Sequence, residues 1–146
     1  MRDATNDIQV KRVISPVSVA DNTAQVGQII DRQGFDSLTY LIALGAIADA
    51  DATFVPLLEE SDNANMAGAN AVADADMISQ TVGTAPESAA GFQFDDDNEV
   101  RKLGYRGNKR YTRLTITPAN NAAGALLAAA AVLGHPSVAP VVQATA

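Results

Sequence analysis

Few side chains in this sequence are spaced to do chemistry. The densest cluster is Asp95-Asp96-Asp97-Asn98-Glu99. Such oxygen donors suit Ca²⁺, which takes about six to eight of them. The run nevertheless lacks the Asp-x-Asp-x-Asp-Gly spacing of an EF-hand loop. Asp49 with Asp51 and Asp74 with Asp76 are no more specific, so all three groups read as solvated acidic loops. General acid–base catalysis needs carboxylates that face each other in a cleft, and no spacing here implies that. His135 is the only histidine, but no Gly-x-Ser-x-Gly elbow surrounds any serine. Next to Pro136 it reads as the structural end of a strand. Gly104 and Gly107 lack the spacing and the following helix of a phosphate-binding loop. With no cysteine there is neither a disulfide nor a thiolate metal site. The expectation is a protein that is not an enzyme and has no catalytic residues, no metal and no cofactor.

Positive charge is more informative. Six of the ten Lys and Arg residues lie between Glu99 and Pro118: Arg101, Lys102, Arg106, Lys109, Arg110 and Arg113. The stretch reads as a β-hairpin with Gly107-Asn108 in its turn, because both residues tolerate the positive φ of tight hairpin turns. Pro118 ends the second arm. Alternation along that arm puts Thr112, Leu114 and Ile116 on a core face and Tyr111, Arg113, Thr115 and Thr117 on the other. Arg106 and Lys109 flank the turn. Tyr111 and Arg113 share a face, and both residue types are enriched at interfaces. These four are the candidate partner-binding residues. Two readings stand side by side: an electrostatic contact surface, or cations paired with the protein's own acidic loops, such as 95–97.

A hairpin needs sheets to pack into. At 146 residues the chain suits a single domain, 1–146, with a core of Leu, Ile, Val and Ala, since it has no Trp. A net charge of −7 argues against general binding to nucleic acid or an anionic membrane. No apolar run approaches the ~20 residues of a membrane span. The N-terminus lacks the apolar stretch of a signal peptide, which implies a soluble protein made in the cytosol. Candidate strands run over 8–14, stopped at Ser15-Pro16, over 24–30, and over 37–44. The last is apolar on both faces and so reads as a central strand. Gly45 to Asp51 reads as a turn. A strand over 52–59 is demoted towards an edge or bulge by Pro56. Residues 61–91 read as a long irregular loop, with a short helix near 70–78 or a brief strand as alternatives. Phe92 and Phe94 begin another strand. Gly124 to Leu133 has helical propensity, but its length and context favour a buried strand whose alanines let two sheets approach closely. The fold class is therefore all-β: a β-sandwich, jelly-roll-like, with extended arms at 1–7 and 136–146.

The segments Asp31-Arg32-Gln33-Gly34-Phe35-Asp36-Ser37, Leu58-Glu59-Glu60-Ser61, Lys102-Leu103-Gly104-Tyr105-Arg106-Gly107 and Lys109-Arg110-Tyr111 resemble those of small tailed-bacteriophage virion proteins. So does the close of the chain, Ala130 to Leu133 followed by Gly134-His135-Pro136. The characterised kind they resemble is the jelly-roll capsid cement, or decoration, protein. That resemblance implies attachment to the major capsid protein on the outer shell, a homo-oligomer (dimer or trimer), synthesis in the host cytoplasm, and terminal arms that order on binding. The net charge adds the expectation of no nucleic-acid or membrane partner. The rivals are a head–tail connector or tail component, and a glycan-binding jelly roll. The second rests on Arg110-Tyr111-Thr112-Arg113-Leu114, which is similar to a discoidin-type core strand, although the chain has few aromatics to stack on a sugar.

Overall fold

The computed structural model describes residues 2–143. Eleven strands form two antiparallel sheets. They are β1 (Gln9–Val19), β2 (Gln25–Val26), β3 (Ile30–Asp31), β4 (Phe35–Ile47), β5 (Thr53–Ser61), β6 (Asn70–Ala71), β7 (Met77–Ser79), β8 (Phe92–Gln93), β9 (Val100–Tyr105), β10 (Tyr111–Ala119) and β11 (Ala125–Pro136). One sheet has the order β1-β11-β4-β9-β7. In the other, β10 pairs with β5 along its length, β2 and β3 continue the sheet beyond β10, and β6 and β8 continue it beyond β5. From β4 onward the long strands alternate between the sheets along the chain, as in a jelly roll.

The segment over 99–118 is not a hairpin. Its first arm, β9, pairs with β4 and β7, whereas β10 pairs with β5 in the opposite sheet, so residues 106–110 form an arch between layers. Gly107 is required there for close approach rather than for positive φ. A Cβ on it would lie 2.5 Å from the Tyr105 hydroxyl oxygen and 2.6 Å from Cζ. The expected faces of β10 do hold: Thr112, Leu114 and Ile116 are fully buried.

The core lies between the sheets. Tyr40 from β4 and Thr112 from β10 share a 2.6 Å hydrogen bond across it, and the Phe54 and Phe92 rings stack 4.7 Å apart. The alanine-rich segment is the strand β11, held on both sides by β1 and β4. Its inward positions Ala125, Leu127, Ala129, Ala131 and Leu133 are buried, so small side chains do line the interface between layers.

Prolines depart from expectation. β1 runs through Pro16 to Val19, because it is an edge strand with register irregularities where a missing N–H costs little. Pro56 lies inside β5, opposite Ile116. Leu58, two residues on, turns its N–H and C=O away from β10, to Glu87 Oε1 and Val72 N–H. The Pro56 nitrogen shares that direction and meets the gap between β6 and β8. Pro118 likewise lies within β10.

β4 extends to Ile47, so the reversal starts later than Gly45. Between β5 and β9 the chain is irregular, with β6, β7, β8, one 3₁₀ turn (Asp74–Asp76) and a helical turn at Pro86–Ala90. No helix covers 70–78. The described parts of the two termini are tied to each other: Val141 N–H donates to Asn6 O, and the Gln143 side chain exchanges hydrogen bonds with the Val10 backbone. Met1 and 144–146 lie outside the described residues.

Candidate interaction surfaces

Four of the six cations over 99–118 are engaged in ion pairs. Arg101 pairs with Asp96 (3.1 Å) and with Glu99, Lys109 with Asp62 (2.6 Å), Arg110 with Asp31 (2.9 Å) and Arg113 with Glu59 (3.1 Å). Arg113 and Glu59 are directly opposed residues on β10 and β5, on the outward face. The Arg110 guanidinium lies 5.0 Å from the Tyr111 ring centroid. Arg106 donates from Nε to the Ala75 carbonyl at 2.9 Å and has no ion pair among the described residues. Lys102 has none either, among the described residues. The four candidate residues thus fall in two places: Arg106 and Lys109 in the arch, Tyr111 and Arg113 on the outer face of β10.

The arch is braced from below. The Tyr105 hydroxyl donates to Glu60 Oε2 at 2.6 Å and accepts the Lys109 N–H at 3.0 Å. Burial, with the Glu60 carboxylate beside it, raises the Tyr105 phenol above the usual tyrosine range and keeps it a donor. Arg32 lies over the Tyr105 ring and donates to the Lys109 and Gly107 carbonyls. The Arg110 guanidinium holds the Asp31 carboxyl below the usual carboxylate range.

The acidic run braces its own loop. Asp95 Oδ1 accepts from Gln93 Nε2, Asp96 Oδ2 from Gln93 N and Asp97 Oδ1 from Ile47 N. His135 Nδ1 lies 3.1 Å from Ser37 Oγ, but no carboxylate hydrogen-bonds its other ring nitrogen among the described residues. The pair ends β11 and β4.

A surface that the sequence reading missed is the outer face of the five-stranded sheet. Its rows follow from the pairing register. Val10, Val132, Thr39, Gly104 and Ile78 form one row, and Arg12, Ala130, Leu41 and Lys102 the next. Ala128, Ala43 and Val100 form a third, and Leu126 lies beyond them, opposite Ser18. Val100 is 64% exposed, Ile78 52% and Leu126 49%. The rows hold two cations, at opposite margins, and no carboxylate, in a protein of net charge −7. The signal was present, since β4 and β11 are apolar at both alternating sets of positions. It read as burial on two sides.

No family model and no curated protein matches the chain. Solved structures do. PBSX exported protein XepA aligns over 94% of this chain with a TM-score of 0.52 and 15% identity, and this chain spans 40% of that protein's length. SPBc2 prophage-derived protein YomS aligns over 86% of this chain and 93% of its own, with a TM-score of 0.46 and 10% identity. The xylan-binding module CBM15 aligns over 93% of this chain and 95% of its own, with a TM-score of 0.40 and 10% identity. The XepA likeness shows a shared fold, so the expected jelly-roll β-sandwich holds. The other two are too distant to support an argument.

Proposed function

We propose that this chain is a non-enzymatic structural protein of a phage particle, bound to the outer surface of the capsid shell as a cement or decoration protein. The observation that carries the reading is the fold, shared along nearly its whole length with phage-derived XepA. The surface supports it: acidic residues brace loops, the lone histidine hydrogen-bonds a serine hydroxyl, and a broad apolar sheet face is exposed. Flat faces suit a protein that works by area and repetition, because many weak contacts on a symmetric lattice give avidity. Arg106 and Lys109 sit in the arch at the end of β9, where they contribute at the rim of the attached surface, while Tyr111 and Arg113 face outward from the opposite sheet. Rim charges act mainly on encounter rate and salt dependence.

The test is co-sedimentation of the purified protein with capsids lacking the endogenous copy, at low and high salt. Saturable binding in hundreds of copies per particle, weakening as salt screens the contact, is the expected result. Saturation at about a dozen copies would move the protein to the head–tail connector. No binding by the folded chain at any salt would overturn the capsid reading.

A further inference from the structure

We propose that the outer face of the five-stranded sheet is the docking surface, and that its partner is a protein patch apolar at the centre and bordered by carboxylates. On the reading above, which this inference rests on, that patch belongs to the capsid shell. Three observations converge. The centre of the face is the row pair Ala130–Leu41 and Ala128–Ala43, flat because β11 contributes only alanines there. Larger apolar side chains, Val10, Val100 and Leu126, stand around it and remain exposed. Arg12 and Lys102 then mark opposite margins of one row, three strand spacings or ~14 Å apart.

Charge decides between occupants. Arg12 hydrogen-bonds the neutral Ser15 hydroxyl and makes no ion pair, and Lys102 makes none among the described residues. These two cations stand on rows that hold no carboxylate, while Lys109, Arg110 and Arg113 near the arch have carboxylates of their own. A second copy docked face to face would set these cation-bearing rows against each other, since the rows hold no carboxylate and Asp7 lies only at the end of the face beside Thr39 and Val132. An acidic partner supplies the missing counter-charge. The size of the face agrees with a lattice role. It runs ~20 Å along the strands and ~14 Å across, short of the ~800 Å² per partner of a stable binary interface. One copy should therefore hold weakly, and retention should depend on repetition.

The experiment compares wild type, Arg12→Glu/Lys102→Glu, Val100→Glu and Arg106→Glu/Lys109→Glu in the capsid co-sedimentation assay. Circular dichroism confirms each fold, and analytical ultracentrifugation gives the assembly state without capsids. The sites are exposed, and a single substitution, Val100→Glu, backs up the double reversal if that fails to fold. The proposal expects a roughly tenfold or greater loss of apparent affinity for both face variants and a smaller loss for the arch variant. Face variants that bind like wild type would overturn the proposal and leave the capsid reading standing. A wild-type dimer that Val100→Glu dissociates would overturn it in favour of a second copy. A folded wild type that never binds capsids would remove the capsid reading, and this inference with it.

Discussion

Replacing Tyr105 by Phe deletes one oxygen atom and asks whether the arch between the sheets depends on it. The ring is retained, so its contact with Arg32 and the approach of its carbon atoms to Gly107 remain. What is lost is a donor to the Glu60 carboxylate at 2.6 Å and an acceptor for the Lys109 N–H at 3.0 Å. A hydrogen bond to a charged group contributes roughly 1.5–3 kcal/mol and a neutral one about 1 kcal/mol. Glu60 is only half-buried, and water recovers part of its loss. The expected cost is therefore about 2 kcal/mol. For a domain of this size 1 kcal/mol moves Tm by ~4 °C, so thermal unfolding should fall by ~8 °C. Limited proteolysis should also cut between 106 and 110 faster than in wild type, since the lost bonds are those that pin these residues. A Tm within about 1 °C of wild type, with unchanged proteolysis, would show that Gly107, Arg32 and chain connectivity hold the arch without the phenol.

Two further outcomes test the packing. Leu114 is fully buried on β10, and Leu114→Ala should cost roughly 2–5 kcal/mol in urea unfolding; a loss within about 0.5 kcal/mol, typical of surface sites, would contradict that burial. Burial raises the Glu87 carboxyl above its usual value although it accepts the Leu58 N–H. A raised carboxyl favours the folded state fully below the unfolded pKa and loses that contribution as pH rises through the folded value. Glu87→Gln keeps an acceptor without the charge. Relative to wild type it should therefore gain stability between about pH 4 and pH 7, by less than about 1 kcal/mol given the solvent access. A difference that is flat or opposite in sign across this range would count against the buried-charge account.

Much of the fold was legible because strand alternation is a local property. Thr112, Leu114 and Ile116 fall on one face whichever strands flank β10, and the Gly-, Asn- and Asp-rich breaks separate the long strands wherever they pair. The misreadings concern partners. Glu99 to Pro118 has two β-forming arms and turn-forming residues between them, which is also what an arch between layers looks like in one dimension. The choice is made by β4 and β5, which take β9 and β10 into different sheets. Pro16 and Pro56 were read as interruptions because a proline is costly only if its nitrogen faces a partner strand, and that direction is a property of the assembled sheet.

The sequence by itself determined an all-β core of aliphatic side chains, the buried face of β10, and a cluster of cations beside acidic loops. The tertiary structure alone decided which cation meets which carboxylate. Asp31, Glu59 and Asp62 lie far from Arg110, Arg113 and Lys109 along the chain and reach them only through strand register and the arch. It also decided which apolar face stays uncovered. β4 and β11 are apolar on both sides, and a strand's own composition cannot say how many layers will stack on it. In a two-layer sandwich each sheet has one neighbour, so the second apolar side of these strands is left at the surface.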